Sequence, residues 1–385
     1  MASVTTCWGI GTTADARETA PAAASAVTVE DGRIASISAQ AEALFLAGAE
    51  PRSDVSAGKV RELAVEARAT SSSVMTLIGA PFTQDVNRYR KWLISRGEAY
   101  DSARTSVDVI SSRVEGNQRI VTVNETTMLA YKKISGGEPP ETGYTAKHEL
   151  VFRTDPVDNV LTLVEDRQLE PTGLLPLGEA MKYTVGGANS QFKAEPDPSE
   201  GEDESAPAST VRQSGPSLGG GKVTSPNTLI AGLSYTAMGA YLERYWQNYN
   251  PAYRSFTGTG GDCTNFVSQA LKAGGWSDAN GSAGDYHAWW YVSLTQTKSW
   301  AAVDWWASFA RSSGRTTTLG NVWDLRLGDV LQVDGNKNGT KDHTTMVSYY
   351  STKPYFTYHS TNRFRRSMDQ VLADWGAANY YAYRT

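Results

Sequence analysis

Gly260-Gly261-Asp262-Cys263-Thr264-Asn265-Phe266-Val267-Ser268-Gln269-Ala270-Leu271 is the stretch on which the reading of the chain turns. A glycine-rich turn delivers Asp262, a residue suited to cap a helix, and a helical run then begins at Cys263. Cys263, Phe266, Val267, Ala270 and Leu271 recur at helical spacing and form one face. The helix should stop at Gly274-Gly275, since glycine takes the left-handed conformation that ends helices. A cysteine is thereby set in a first turn, where free N–H groups and the helix dipole favour a thiolate. The same facts also describe a small core residue. What separates the two readings is a base further along the chain.

The chain has 385 residues, 40% of them hydrophobic and 20% charged, as in a globular protein of about two domains. Its net charge of -5 excludes the basic excess that a nucleic-acid binder uses to displace counterions. No apolar run approaches the length of a membrane span. The two cysteines, Cys7 and Cys263, lie far apart and supply neither a disulfide framework nor zinc-site spacing. The stretch 1–25 lacks the basic start and apolar core of a signal peptide.

Residues 1–30 read as a flexible start. An N-terminal α+β domain is expected over 31–192, with helices at 33–49, 60–73 and 88–92. A hairpin follows, its β-branched runs meeting at Glu115-Gly116-Asn117, and two further strands lie near 148–152 and 161–164. His148 reads as a structural residue at the head of a strand. Residues 193–227 combine clustered acidic residues with Pro, Ser and Gly219-Gly220-Gly221, the composition of a linker.

The second domain, 228–385, holds nine of the eleven tryptophans. Helices are expected at 235–246, 263–273, 300–311 and 367–375. Strands are expected at 329–333, 343–349, 355–359 and 379–383. A nucleophile helix packed on an antiparallel sheet that carries the base is one layout of a cysteine hydrolase. His343 begins a strand after a polar loop and is the candidate base, which would take the thiol proton and return it to the leaving amine. His359, in the neighbouring strand, could orient the imidazole, and Asn362 is the alternative third member. His287, among Tyr286, Trp289 and Trp290, reads as a cleft wall. Tyr253 is placed in the cleft near the oxyanion, whose main donor would be the Cys263 backbone N–H. Tyr249, Trp289, Trp290, Trp305 and Trp306 could line the same cleft for sugar or peptide faces, although large aromatics are usually core.

These residues resemble the "putative amidase" domain of secreted bacterial proteins. The likeness rests on Tyr249-Asn250-Pro251 with Tyr253, on Gly261 through Gln269, and on Gly274-Gly275. Ser299-Trp300, Leu327-Gly328-Asp329-Val330, Asp342-His343 and Tyr358-His359 extend it, so that it covers roughly 235–385. It implies a papain-like fold of the NlpC type with Cys263 as nucleophile, His343 as base and a third polar residue, best matched by His359. It also implies hydrolysis of amide bonds in cell-wall peptides by a secreted protein; a monomer that requires no cofactor is expected. The N-terminal domain is similar to cystatin-like or nuclear-transport-factor-like domains.

Two rivals use the same residues. An amine could capture the acyl-thioester, making a transamidase, or the domain could bind wall glycopeptides through its aromatics without turnover. Separately, Asp334, Asn336 and Asn338 with Gly339 and Asp342 match the opening of a calcium loop, but Thr345 stands where a bidentate Glu would close it. A structural calcium site and a tight polar turn that presents His343 are both open.

Overall fold

The computed structural model describes residues 88, 91, 93–95, 97–154, 161–169, 207–211, 232–257, 261–293 and 295–385. The expected helices at 33–49 and 60–73 lie outside them. Residues 88, 91 and 93–95 are helical, in keeping with the short helix expected there.

The N-terminal strands are longer than the sequence pattern suggests. β1 (Tyr100–Glu115) and β2 (Gln118–Tyr131) form the expected hairpin, with Glu115 opposite Gln118. Gly116 takes φ +62° at the turn, as a two-residue hairpin loop requires. β3 (Glu141–Thr154) and β4 (Leu161–Gln168) continue the antiparallel meander. His148 lies in β3 beside Glu125 of β2, at 3.4 Å, in keeping with a structural role.

The C-terminal part is α+β. α1 (Tyr235–Tyr245) begins at Ser234, whose hydroxyl accepts from the Ala237 N–H. α2 (Cys263–Ala273) follows. The short hairpin of β5 (Tyr291–Val292) and β6 (Thr295–Gln296) precedes α3 (Lys298–Ala301) and α4 (Val303–Ser312). The single helix expected over 300–311 is thus two, broken at Ala302, which is extended at φ -102°, ψ 139°. β7 (Thr317–Leu319), β8 (Val330–Asp334), β9 (His343–Tyr350), β10 (Pro354–Tyr358) and β11 (Arg363–Ser367) come next. α5 (Met368–Trp375) opens with a capping box between Ser367 and Gln370, and β12 (Asn379–Arg384) closes the chain.

Apart from the β5-β6 hairpin, the strands share one antiparallel sheet in the order β1-β2-β3-β11-β10-β9-β8-β12-β7, with β4 paired to the same edge of β3 as β11, further along that strand. Alternation along the strands divides the C-terminal core into two layers. Val330, Met346, Tyr381 and Tyr383 face α1, α2 and α4. Leu331, Val333, Val347, Tyr380 and Ala382 face α5 on the opposite side. α2 is buried from Cys263 to Leu271 because sheet and helices enclose it, where an amphipathic stripe had been expected. Its polar positions are satisfied internally: Ser268 donates to the Trp300 carbonyl, and Gln269 accepts from the Tyr241 hydroxyl. Burying Phe266 alone contributes about 2 kcal/mol.

Two long-range contacts lie beyond any local pattern. β3 pairs with β11 through Tyr144–Arg363 and Gly143–Phe364, so N-terminal and C-terminal strands form one sheet. Residues 207–211, inside the stretch read as a linker, lie along the far edge. There Ser209 N–H donates to Tyr380 O, and Thr210 N–H donates to Gly320 O. Five residues of the acidic stretch are therefore an ordered strap.

Candidate active site

Cys263 is the first residue of α2 and is buried. The first intrahelical bond, from Phe266 N–H to Asp262 O, leaves the earlier N–H groups free for other acceptors. The sulfur lies 3.9 Å from the Thr264 hydroxyl oxygen. Burial pushes the thiol above its ordinary value, and the Asp262 charge adds to this. Hydrogen bonds from the Thr344 backbone and from Thr264 oppose it. The depressed thiol expected from helix position alone is therefore not what the environment produces. Desolvation of a fully enclosed sulfur outweighs the ends of a few N–H dipoles.

Asp262 is not a side-chain cap of α2. Its Oδ1 instead accepts from the Phe256 N–H at 2.9 Å and from Asn265 Nδ2 at 2.8 Å. Its Oδ2 lies 2.7 Å from His359 Nδ1, and its own N–H donates to Ser360 Oγ at 2.7 Å. His359 stands just past β10, with its ring between Phe266 at 3.5 Å and Tyr249 at 3.6 Å, nearly parallel to both. His359 Nε2 is 2.9 Å from the Tyr245 carbonyl, which can only accept, so that nitrogen carries a hydrogen. A hydrogen also lies between Nδ1 and the Asp262 carboxyl, whichever atom holds it. Neither ring nitrogen is left free, which suits His359 to fixing Asp262 and the end of α1.

His343 is placed differently. Along β9, Thr344 and Met346 face the α2 layer: the Thr344 and Thr264 hydroxyls are 2.9 Å apart. His343 alternates to the other face and packs on Tyr358 at 5.0 Å and Trp375 at 5.5 Å. Neither of its ring nitrogens has a hydrogen-bond partner, and burial pushes it down to about 3. The expected Cys263–His343 hydrogen bond is thus absent among the described residues. The physical reason is the period-two alternation of the strand, which turns Thr344, not His343, towards the thiol.

Residues 232–383 match the family described as "Putative amidase domain". Over that segment the chain is similar to that family. It is 28% identical over 153 residues to the uncharacterized protein YhbB of Bacillus subtilis (strain 168), covering 35% of this chain and 48% of that protein. It is 31% identical over 170 residues to the uncharacterized protein YjcM of the same organism, covering 41% of this chain and 38% of that protein. The chain thus spans less than half the length of either relative. No solved structure matches.

The other expected site residues of the amidase domain fall in two groups. Asn362 lies close to His359: its Oδ1 accepts from the Tyr249 hydroxyl at 2.9 Å, and Tyr249 stacks on the imidazole. Tyr253 packs on Tyr291 at 4.9 Å and Trp300 at 5.9 Å, a partly buried cluster that reaches α2 through Trp300 Nε1 and Asn265 Oδ1 at 2.8 Å. Trp289 and Trp306 are core, and His287 is exposed beside Tyr286. Thr344 and Ser360 touch the site through contacts that spacing along the chain does not reveal.

The loop at Asp334 closes as a polar turn. Asp334 accepts from the Asn338 and Gly339 N–H groups, Asn336 from Asn338, and Asp342 Oδ2 from Gly335 at 2.7 Å. Gly339, at the sixth place, has φ +92°. Among the described residues, no group of three or more His, Cys, Asp or Glu is placed to hold a metal. No helix among them is long and apolar enough to cross a membrane.

Proposed function

We propose that the amidase domain hydrolyses amide bonds through Cys263, by way of an acyl-thioester. The observation that carries this reading is the thiol at the first position of a buried helix, beside N–H groups without helical partners. Its sulfur attacks the amide carbonyl as the thiol proton passes to a base, and the resulting oxyanion is met by the helix N–H groups. The C–N bond then breaks, the base returns the proton to the amine, and water cleaves the thioester to release the acid and restore the thiol. The assigned base is His343. It is the buried imidazole with both nitrogens unused, one peptide from the Thr344 backbone that bonds the sulfur. To act, the first residue of β9 must turn its ring to the face that Thr344 now occupies. His359 and Asp262 hold the start of α2 in place. Resemblance to the family points to cell-wall peptides as substrate, and hence to action outside the cell.

A non-catalytic glycopeptide-binding module has one observation in its favour, the separation of Cys263 from His343 by the sheet. Iodoacetamide alkylation of Cys263 against pH, in wild type and His343→Ala, distinguishes the readings. Reactive thiolate titrating below about 8.5, and lost without His343, supports catalysis. An inert thiol in both proteins, with peptidoglycan fragments bound but not cleaved, overturns it.

A further inference from the structure

The N-terminal sheet touches the candidate site through the loop 359–362, between β10 and β11, and through Arg363 at the start of β11. That loop carries His359, Ser360 and Asn362, and Ser360 has φ +73°, a conformation a residue with a side chain holds only when its surroundings impose it. On one side the loop grips Asp262, through His359 Nδ1 and Ser360 Oγ. On the other it is gripped by β3: Thr145 N–H donates to the Asn362 carbonyl at 3.0 Å. Beside it the buried Arg363 guanidinium lies 5.5 Å from the Tyr144 ring centroid. Asn362 then accepts from Tyr249, whose ring covers His359. A continuous run of contacts leads from β3 to the residue before the nucleophile.

The junction is also closed by partly buried charge. Lys353 Nζ lies 2.6 Å from Glu98 Oε1 and 3.1 Å from Asp369, and Ser367 donates to the same Glu98 oxygen. Such groups are costly to separate once buried, which makes the docking of the two parts a lasting one.

We propose that the N-terminal sheet positions the amidase site, with Thr145 of β3 and Asn362 of the loop as positioning residues for Asp262 and His359. This rests on Cys263 being the reacting group, and it gives the N-terminal region a part in the site itself. The strain at Ser360 is held by contacts on both sides of the loop. Releasing the β3 side frees the loop, and with it the Asp262–His359 pair that holds the start of the helix on which the thiol sits.

The test uses the full chain and two readouts that need no substrate: the imidazole N–H resonances of His359 and the rate of Cys263 alkylation. Thr145→Pro removes the N–H that Asn362 accepts. Asn362→Ala removes the acceptor for Tyr249, while Asn362→Asp keeps it. The expected result is loss of the His359 resonances and an alkylation rate raised about fivefold or more in Thr145→Pro and Asn362→Ala, with return towards wild type in Asn362→Asp. Val121→Ala, which weakens the same sheet away from the junction, should leave both readouts unchanged. The proposal fails if Asn362→Ala alone leaves them unmoved, or if Val121→Ala moves them equally. A failure of the amidase reading would show instead as unchanged cleavage in Cys263→Ala, with these two readouts still responding.

Discussion

His359 Nδ1 lies 2.7 Å from Asp262 Oδ2, joining the end of β10 to the residue that precedes Cys263. Both groups are buried, and the carboxylate accepts two further hydrogen bonds from Phe256 and Asn265. Asp262→Asn keeps the shape but leaves the imidazole facing an amide. Removing the carboxyl from this buried hydrogen-bonded pair should lower unfolding stability by about 3 kcal/mol, read from urea denaturation. An unchanged midpoint would mean that the contact contributes nothing.

The buried His343 makes a pH-dependent contribution. Its folded value is depressed to about 3 by burial, below the 6.5 of an exposed imidazole. Between these values the unfolded chain binds a proton that the folded chain refuses, so stability rises with pH across the window and is lost as pH falls through it. The loss at pH 3 is on the order of 5 kcal/mol. His343→Phe retains a ring between Tyr358 and Trp375 and should flatten the stability profile between pH 3 and 6.5. The same variant should abolish amide cleavage if His343 is the base.

Gly239 brings α1 onto β9. A Cβ there would stand 2.6 Å from the Ser348 carbonyl oxygen, a contact with backbone that no rotamer relieves. Gly239→Ala should cost about 1–3 kcal/mol in spite of alanine's better helix propensity. Thermal melting of the two proteins side by side would show it, and a higher melting temperature in the variant would refute the close approach.

The strap at 207–211 predicts a local effect. Thr210→Pro removes the N–H that donates to Gly320 and should speed hydrogen exchange at Val322, whose N–H donates to Thr210 O. The expected cost to stability is about 1 kcal/mol. Exchange at Val322 identical to wild type would place the strap off the sheet edge.

Much of the C-terminal fold was legible because its signals are local. The run from Cys263 with Gly274-Gly275 marked α2, β-branched runs marked β8 and β9, and Ser367 marked the start of α5. Even so, the left-handed glycine at the end of α2 is Gly275, at φ +107°, while Gly274 stays right-handed. β11 passed unread: its basic run Arg363-Phe364-Arg365-Arg366 looks like solvent-facing loop. In the fold those arginines are taken up by Tyr144, Glu243 and Asp374.

By itself, then, the sequence determined which residues could form the helix with a cysteine at its head, the strands behind it and the resemblance to an amidase family. These follow from spacing, turn chemistry and motif order, all properties of neighbours along the chain. The tertiary structure decided which side chains meet. Strand alternation turned His343 away from the thiol and Thr344 towards it, and enclosure raised the thiol where helix position alone would have lowered it. The pairing of β3 with β11 brought the N-terminal sheet to the loop of His359. Faces, burial and long-range pairing depend on what the rest of the molecule places opposite, and no local window of sequence carries that information.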